Sequence, residues 1–115
     1  MPPERDWRLR IEDILESIAA IDGYTRGLCA EAFAADRKTV DAVTWNLAII
    51  GEATAHTPEE VRSRHPALPW RKMQAMRNFL IHDYPAIRHA TVWDTTEHDL
   101  PPLVPQLRRI LEEGR

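Results

Sequence analysis

Apolar residues recur along the chain with the three- and four-residue spacing of amphipathic α-helices. In the first segment they stand at Trp7, Ile11, Ile14, Ile18 and Ile21. This period predicts a long helix with one apolar face. Asp6 precedes the helix as its predicted N-cap, and Gly23 marks its predicted end.

A second long helix is predicted over residues 36–55. Its apolar stripe is formed by Val40, Val43, Leu47 and Ile50. Trp45 and Ile49 lie to the sides of this stripe. Small residues at Ala48 and Gly51 would let another helix approach closely. A short helix over residues 30–35, held to the core by Phe33, is predicted in the connection. Since that connection is modest in length, the two long helices should pack antiparallel.

The segment after the second helix has the pattern of a helix start. Thr57 is the predicted N-cap, Pro58 the first helical residue, and Glu60 the partner in a capping box. This helix should be short because Pro66 and Pro69 follow it.

A third main helix is predicted to open at Trp70 and to end near His82 or Asp83. Its end is predicted there because Pro85 disfavours the α conformation for Tyr84. The last apolar segment begins near residue 87 and contains Pro101, Pro102 and Pro105, so a kinked or two-piece helix is expected there. These elements predict an all-α, up-down bundle of four principal helices plus a short crossover helix. We expect one domain over residues 1–115.

Composition narrows the class of protein. The chain has 115 residues, is 43% apolar and carries a net charge of −3, so no global basic field attracts nucleic acid. A local RNA-binding patch could still form around Arg71, Lys72 and Arg88, in the most basic part of the chain. The single cysteine, Cys29, the lack of a signal-peptide-like start and the lack of a membrane-length apolar run lead us to expect a cytoplasmic protein.

Arg77, His82 and Tyr84 form the main candidate site. Arginine can bind a phosphate with two donors, histidine can move a proton near neutral pH, and tyrosine offers a hydroxyl. On an ideal helix Arg77 and His82 would point roughly 140° apart. Either the helix end unwinds, or a second copy of the chain supplies half of the site. The alternative is structural: an ion pair for Arg77, a helix C-terminus for His82 and core packing for Tyr84.

No metal site or cofactor site is predicted. Asp94 and His98 are one helical turn apart, but no third ligand is evident, and a solvated helix face is the expected arrangement. The four scattered glycines form no phosphate-binding loop.

The spacing Arg77-x4-His82-x-Tyr84 resembles the motif of HEPN domains, in the form carried by HepT toxins. Residues 41–53, 65–71 and 92–101 resemble other parts of that family in the same order. Pro85 departs from the pattern, since relatives more often carry an aromatic residue and a glycine after the tyrosine.

The resemblance implies an activity and an assembly. It implies a metal-independent endoribonuclease toxin of a type VII-like toxin–antitoxin system, acting as a homodimer on RNA, with tRNA as a candidate substrate. His82 would act as general acid or base and Arg77 would hold the scissile phosphate. Asn78 and Asp83 would have supporting roles, such as orienting these two side chains.

The resemblance also implies a modification. A partner nucleotidyltransferase, the MntA-like antitoxin, would transfer AMP from ATP onto Tyr84 and so block the site with bulk and negative charge. ATP would be used by the partner alone. The alternative function is a non-catalytic subunit that presents a nucleotide or polypeptide to a separate nucleotidyltransferase.

Overall fold

The computed structural model describes residues 6–81 and 85–113, with residues 80, 81 and 85–88 described by their backbone alone. The elements are α1 (Trp7–Thr25), α2 (Ala30–Ala35), α3 (Arg37–Ala55), α4 (Glu59–Arg64), α5 (Trp70–Ala75), α6 (Asn78–Ile81), α7 (Pro85–Asp94), a π-helical segment (Thr95–Asp99) and α8 (Leu103–Glu113). Over these residues the chain forms helices and no strand, which confirms the predicted all-α class.

The core is built around α1 and α3, which share the most extensive helix–helix contact of the described elements. Ile11, Ile14, Val43, Leu47 and Ile50 are fully buried along the two facing stripes. Each such side chain contributes about 1.5–3 kcal/mol of burial free energy. The periodicity of the sequence therefore identified the central faces of the bundle.

The two ends of α1 differ in how well the sequence predicted them. At the start, the Asp6 carboxylate accepts a hydrogen bond from the Arg8 N–H at 2.9 Å, as an N-cap does. The predicted end at Gly23 is wrong, because the helix continues to Thr25, whose hydroxyl donates to the Ile21 carbonyl at 2.9 Å. The chain turns at Gly27 instead, where φ is +81°.

The start of α4 is also different from the prediction. The Thr57 hydroxyl donates to the Ala53 carbonyl at 3.0 Å and so satisfies the end of α3. Pro58 occupies the N-cap position of α4, with no side-chain cap hydrogen bond. The predicted capping box is wrong, because α4 begins at Glu59, one residue later than predicted, and Pro58 takes the cap position in place of Thr57.

The predicted third helix is interrupted. It ends as α5 at Ala75 and resumes as α6 at Asn78, with Met76 and Arg77 in the turn between them. Tight i to i−3 hydrogen bonds cross this turn, from Met76 N–H to Met73 and from Phe79 N–H to Met76. The expectation that Arg77 lies inside a continuous helix is wrong. The predicted helix end at His82 or Asp83 lies outside the described residues.

The last segment is in pieces, as predicted. α7 continues directly into the π-helical segment. Helical structure is then interrupted after Asp99 and resumes as α8 at Leu103. Pro105 stands in the first turn of α8, where a missing N–H is tolerated. The predicted anchoring of α2 is confirmed, since the Phe33 ring is fully buried 5.2 Å from the Trp93 ring of α7. None of the described helices combines the length and the apolar character needed to cross a membrane.

Candidate active site

The turn between α5 and α6 rests directly on Gly51 of α3. A Cβ atom at Gly51 would lie 2.8 Å from the Gln74 carbonyl oxygen and 2.9 Å from the Arg77 Cβ, and it would also clash with the Arg77 backbone nitrogen. Only glycine leaves room for this approach. The close approach predicted at Gly51 is confirmed. The residue that packs against Gly51 is Arg77, the arginine of the motif.

The Arg77 side chain is directed by an acidic residue one position beyond Gly51. Its Nη1 atom lies 3.7 Å from Oε2 of Glu52, and the Arg77 side chain remains 43% exposed. The other carboxylate oxygen, Oε1, lies 2.9 Å from Nε2 of His56, one helical turn further along α3. An exposed pair of this kind contributes little to stability, but it places the guanidinium group beside the Glu52 carboxylate.

Arg77 and Asn78 lie at one side of a cleft of about 580 Å³ between α4 and α5. The remaining lining residues are Glu59, Arg62, Ser63, Pro66, Trp70, Arg71, Gln74 and Ala75. Arginine outnumbers acidic side chains in this lining, so the cleft has the charge that a phosphate-bearing ligand requires.

Arg62 lines the cleft and connects three of the segments around it. Its guanidinium group donates to the carbonyl of Thr54 at 2.6 Å, to the carbonyl of Thr57 at 3.2 Å and to Oε1 of Gln74 at 3.1 Å. These bonds join the end of α3, the loop before α4 and the end of α5. Trp70 also lines the cleft, and its indole N–H donates to the His65 carbonyl at 2.9 Å.

The predicted basic patch is only partly gathered at this cleft. Arg71 is exposed and lines it. Lys72 instead pairs with Asp99 of the π-helical segment, with 3.1 Å between Nζ and Oδ1. Arg88 is described by its backbone alone. The predicted site residues His82, Asp83 and Tyr84 lie outside the described residues.

Glu52, His56 and Gln74 were not predicted as members of the site. The spacing Glu52-x3-His56 directly after Gly51 was an available signal for the first two. The contact between Gln74 and Arg62 gave no local signal, because it joins residues 12 apart. Asp94 and His98, considered above for a metal, pair with each other at 3.0 Å on an exposed surface.

Comparison with known proteins places the chain in a family. A family model described as "Ribonuclease HepT-like" matches residues 14–110. The chain is 43% identical over 93 residues to "Probable ribonuclease HepT" of Thermococcus cleftensis, covering 81% of this chain and 84% of that protein. It is 32% identical over 111 residues to "Putative RNase MJ0127" of Methanocaldococcus jannaschii, covering 96% and 92% of the two chains. No solved structure matches. The chain therefore belongs to the HepT-like ribonuclease family.

Proposed function

We propose that this protein is a metal-independent endoribonuclease that acts as the toxin of a toxin–antitoxin pair. The observation that carries the proposal is the position of Arg77. Its guanidinium group is half-exposed, directed by Glu52, and placed beside Asn78 at the edge of an arginine-rich cleft. The names of the relatives, "Probable ribonuclease HepT" and "Putative RNase MJ0127", support the same chemistry.

RNA supplies its own nucleophile, which reduces what the protein must provide. A general base removes the proton of a 2′-hydroxyl, whose oxygen attacks the adjacent phosphorus atom. The 5′-oxygen leaves with a proton from a general acid, and a 2′,3′-cyclic phosphate remains. Arg77 offsets the negative charge that develops on the phosphate oxygens, and His82 carries one of the two protons. Asn78 and Asp83 orient these groups.

A second copy of the chain would complete the site. Trp45 is 60% exposed on α3, which is unusual for so large an apolar side chain. The spacing of Trp45, Ile49 and Glu52 puts these residues on one face of the helix. A partner that covers Trp45 would therefore lie next to Glu52 and Arg77. A two-fold dimer formed on this face brings two Arg77/His82 sets to one groove.

Tyr84 is the proposed point of control. A cognate nucleotidyltransferase would transfer AMP from ATP to its hydroxyl with release of pyrophosphate, and the added negative charge would repel the RNA backbone. The modified residue is two positions from His82 in the sequence.

Purified protein, separated from any partner, is incubated with total RNA and a chelator. Cleavage by the parent chain, and at least a hundredfold less by Arg77→Ala and His82→Ala, is expected for loss of the phosphate contact or the proton carrier. Arg108→Ala and His98→Ala, at exposed positions elsewhere, serve as matched controls. Intact mass must show that the parent carries no AMP. No cleavage by an unmodified parent chain would refute the proposal.

A further inference from the structure

The cleft beside Arg77 contains a side-chain amide whose orientation is chemically determined. Gln74 receives a hydrogen bond from Arg62, with 3.1 Å between Nη1 and the amide atom facing it. Since arginine only donates, that amide atom must be the oxygen. Arg62 is itself fixed by two backbone carbonyls, of Thr54 and Thr57. The Gln74 NH2 group is therefore left as a donor on a supported, part-buried side chain.

An acceptor stands in the same cleft. The Ser63 hydroxyl donates to the Glu59 carbonyl at 2.9 Å, which commits its only proton. Its oxygen lone pairs remain available to accept. The cleft thus presents one oriented donor, from Gln74, and one acceptor, from Ser63, in addition to the guanidinium groups of Arg71 and Arg77.

From this arrangement we propose that the cleft between α4 and α5 is a base-recognition pocket for a nucleotide next to the cleaved linkage. This inference rests on the proposed ribonuclease function. The volume of about 580 Å³ falls within the about 300–1,000 Å³ range of small-ligand pockets. Arg77 holds the phosphate at the edge of the cleft, and the attached base enters between Ser63 and Gln74.

The donor and the acceptor select among the bases. Uracil and guanine each present a carbonyl oxygen beside a ring N–H, which matches the Gln74 donor and the Ser63 acceptor. Adenine presents an amino group beside a ring nitrogen acceptor, which is the reverse pattern. Single-stranded RNA is the substrate class, because these edges are free only in unpaired bases. Gln74 is then a specificity-determining residue.

The test measures binding in the His82→Ala background, so that the RNA stays intact. Fluorescence anisotropy gives the affinity for short, end-labelled oligouridylate and oligoadenylate. A preference for uridine of about tenfold is expected from the hydrogen bond that adenine cannot make. Gln74→Glu keeps an oxygen facing Arg62 but replaces the donor by an acceptor, so the uracil carbonyl loses its partner and the preference for uridine should disappear. Gln74→Met should abolish the preference.

Gln106→Glu on α8 is the matched control and should leave the ratio of the two affinities unchanged. Thermal melting checks that the Gln74 variants fold. If Gln74 serves structure alone, Gln74→Glu will bind both RNAs in the parental ratio, and the inference is overturned. The same holds if the His82→Ala protein shows no preference or no binding. Failure of the ribonuclease proposal appears separately, as a parent chain that binds RNA with this preference and does not cut it.

Discussion

Gly51 of α3 lies against the backbone of Arg77, with no side chain between the two residues. The contact is close enough that an added Cβ would stand 2.8 Å from the Gln74 carbonyl oxygen and 2.9 Å from the Arg77 Cβ. Glycine within a helix costs about 0.5–1 kcal/mol relative to alanine. Gly51 therefore lowers the intrinsic stability of α3, but it allows the turn that carries Arg77 to pack directly onto this helix.

Gly51→Ala should therefore displace Arg77. Overpacking at such a site costs about 1–3 kcal/mol of unfolding free energy, more than the gain in helix propensity returns. RNA cleavage should fall by about tenfold or more, because the guanidinium group moves from its position. Urea unfolding and initial cleavage rates measure the two effects.

Gly23→Ala is the matched control for that substitution. Gly23 is also within a helix, but a Cβ there meets nothing within 4 Å. The change should raise the free energy of unfolding by about 0.5–1 kcal/mol and leave cleavage unaltered. Equal effects at Gly51 and Gly23 would contradict the role given to the close approach.

Glu52→Gln removes the charge that directs Arg77 and keeps the size of the side chain. We expect kcat to fall by about tenfold, since the guanidinium group loses its fixed direction. KM should not rise, because a negative charge near the RNA phosphate has been removed. Glu12→Gln, at an exposed position of α1, should change neither parameter. A raised KM with unchanged kcat would show that Glu52 does not position Arg77.

Trp45→Glu should separate the proposed dimer into monomers. The substitution puts a charge on the exposed apolar position of α3, where a partner would have to desolvate it. Light scattering after gel filtration would detect half the parental mass, and RNA cleavage should be lost with it. Tyr24→Glu, at a 48% exposed aromatic of α1, should remain dimeric. A dimeric Trp45→Glu protein would exclude this face as the interface.

The chain contains two tyrosines, which gives a direct test of the modification. Co-expression with a cognate nucleotidyltransferase should add AMP to the parent chain and to Tyr24→Phe, but not to Tyr84→Phe. Intact-mass spectrometry reads the result. The modified parent should lose RNA cleavage, since the added phosphate has the same charge sign as the RNA backbone and repels it. AMP found on Tyr24, or on Tyr84→Phe protein, would contradict the assignment.

The helices could be predicted from the sequence because their signals are local. Val40, Val43, Leu47 and Ile50 repeat with the period of the helix that they form, and Asp6 caps α1 by accepting from the N–H of Arg8, two residues further on. The errors came at the ends of helices. Thr57 is a good N-cap by sequence, yet its hydroxyl donates to the Ala53 carbonyl and Pro58 is the N-cap of α4.

Some parts of the candidate site could likewise be predicted from local signals in the sequence, and other parts could not. Arg77 was identified from its spacing to His82 and Tyr84, and Gly51 was expected to permit a close approach. The contact of Arg62 with Gln74 could not be predicted, because it depends on how α4 and α5 meet. The break at Met76 and Arg77 was missed for a similar reason. No proline or glycine marks it, and packing against α3 accompanies it.

Asp36, the N-cap of α3, should make the stability of the bundle depend on pH in the acid range. The hydrogen bond from the Thr39 hydroxyl, 2.7 Å from Oδ2, is the main cause that lowers the Asp36 pKa below its usual 3.8, and the Thr39 N–H adds to it. A lowered folded-state pKa means a contribution present above the unfolded-state pKa and lost as pH falls through the folded-state value. Asp36→Asn keeps a capping oxygen that does not titrate. The difference in unfolding free energy between parent and variant should be constant above about pH 5 and shift against the parent below it. A difference that stays constant into strong acid would show that the Asp36 charge does not stabilise α3.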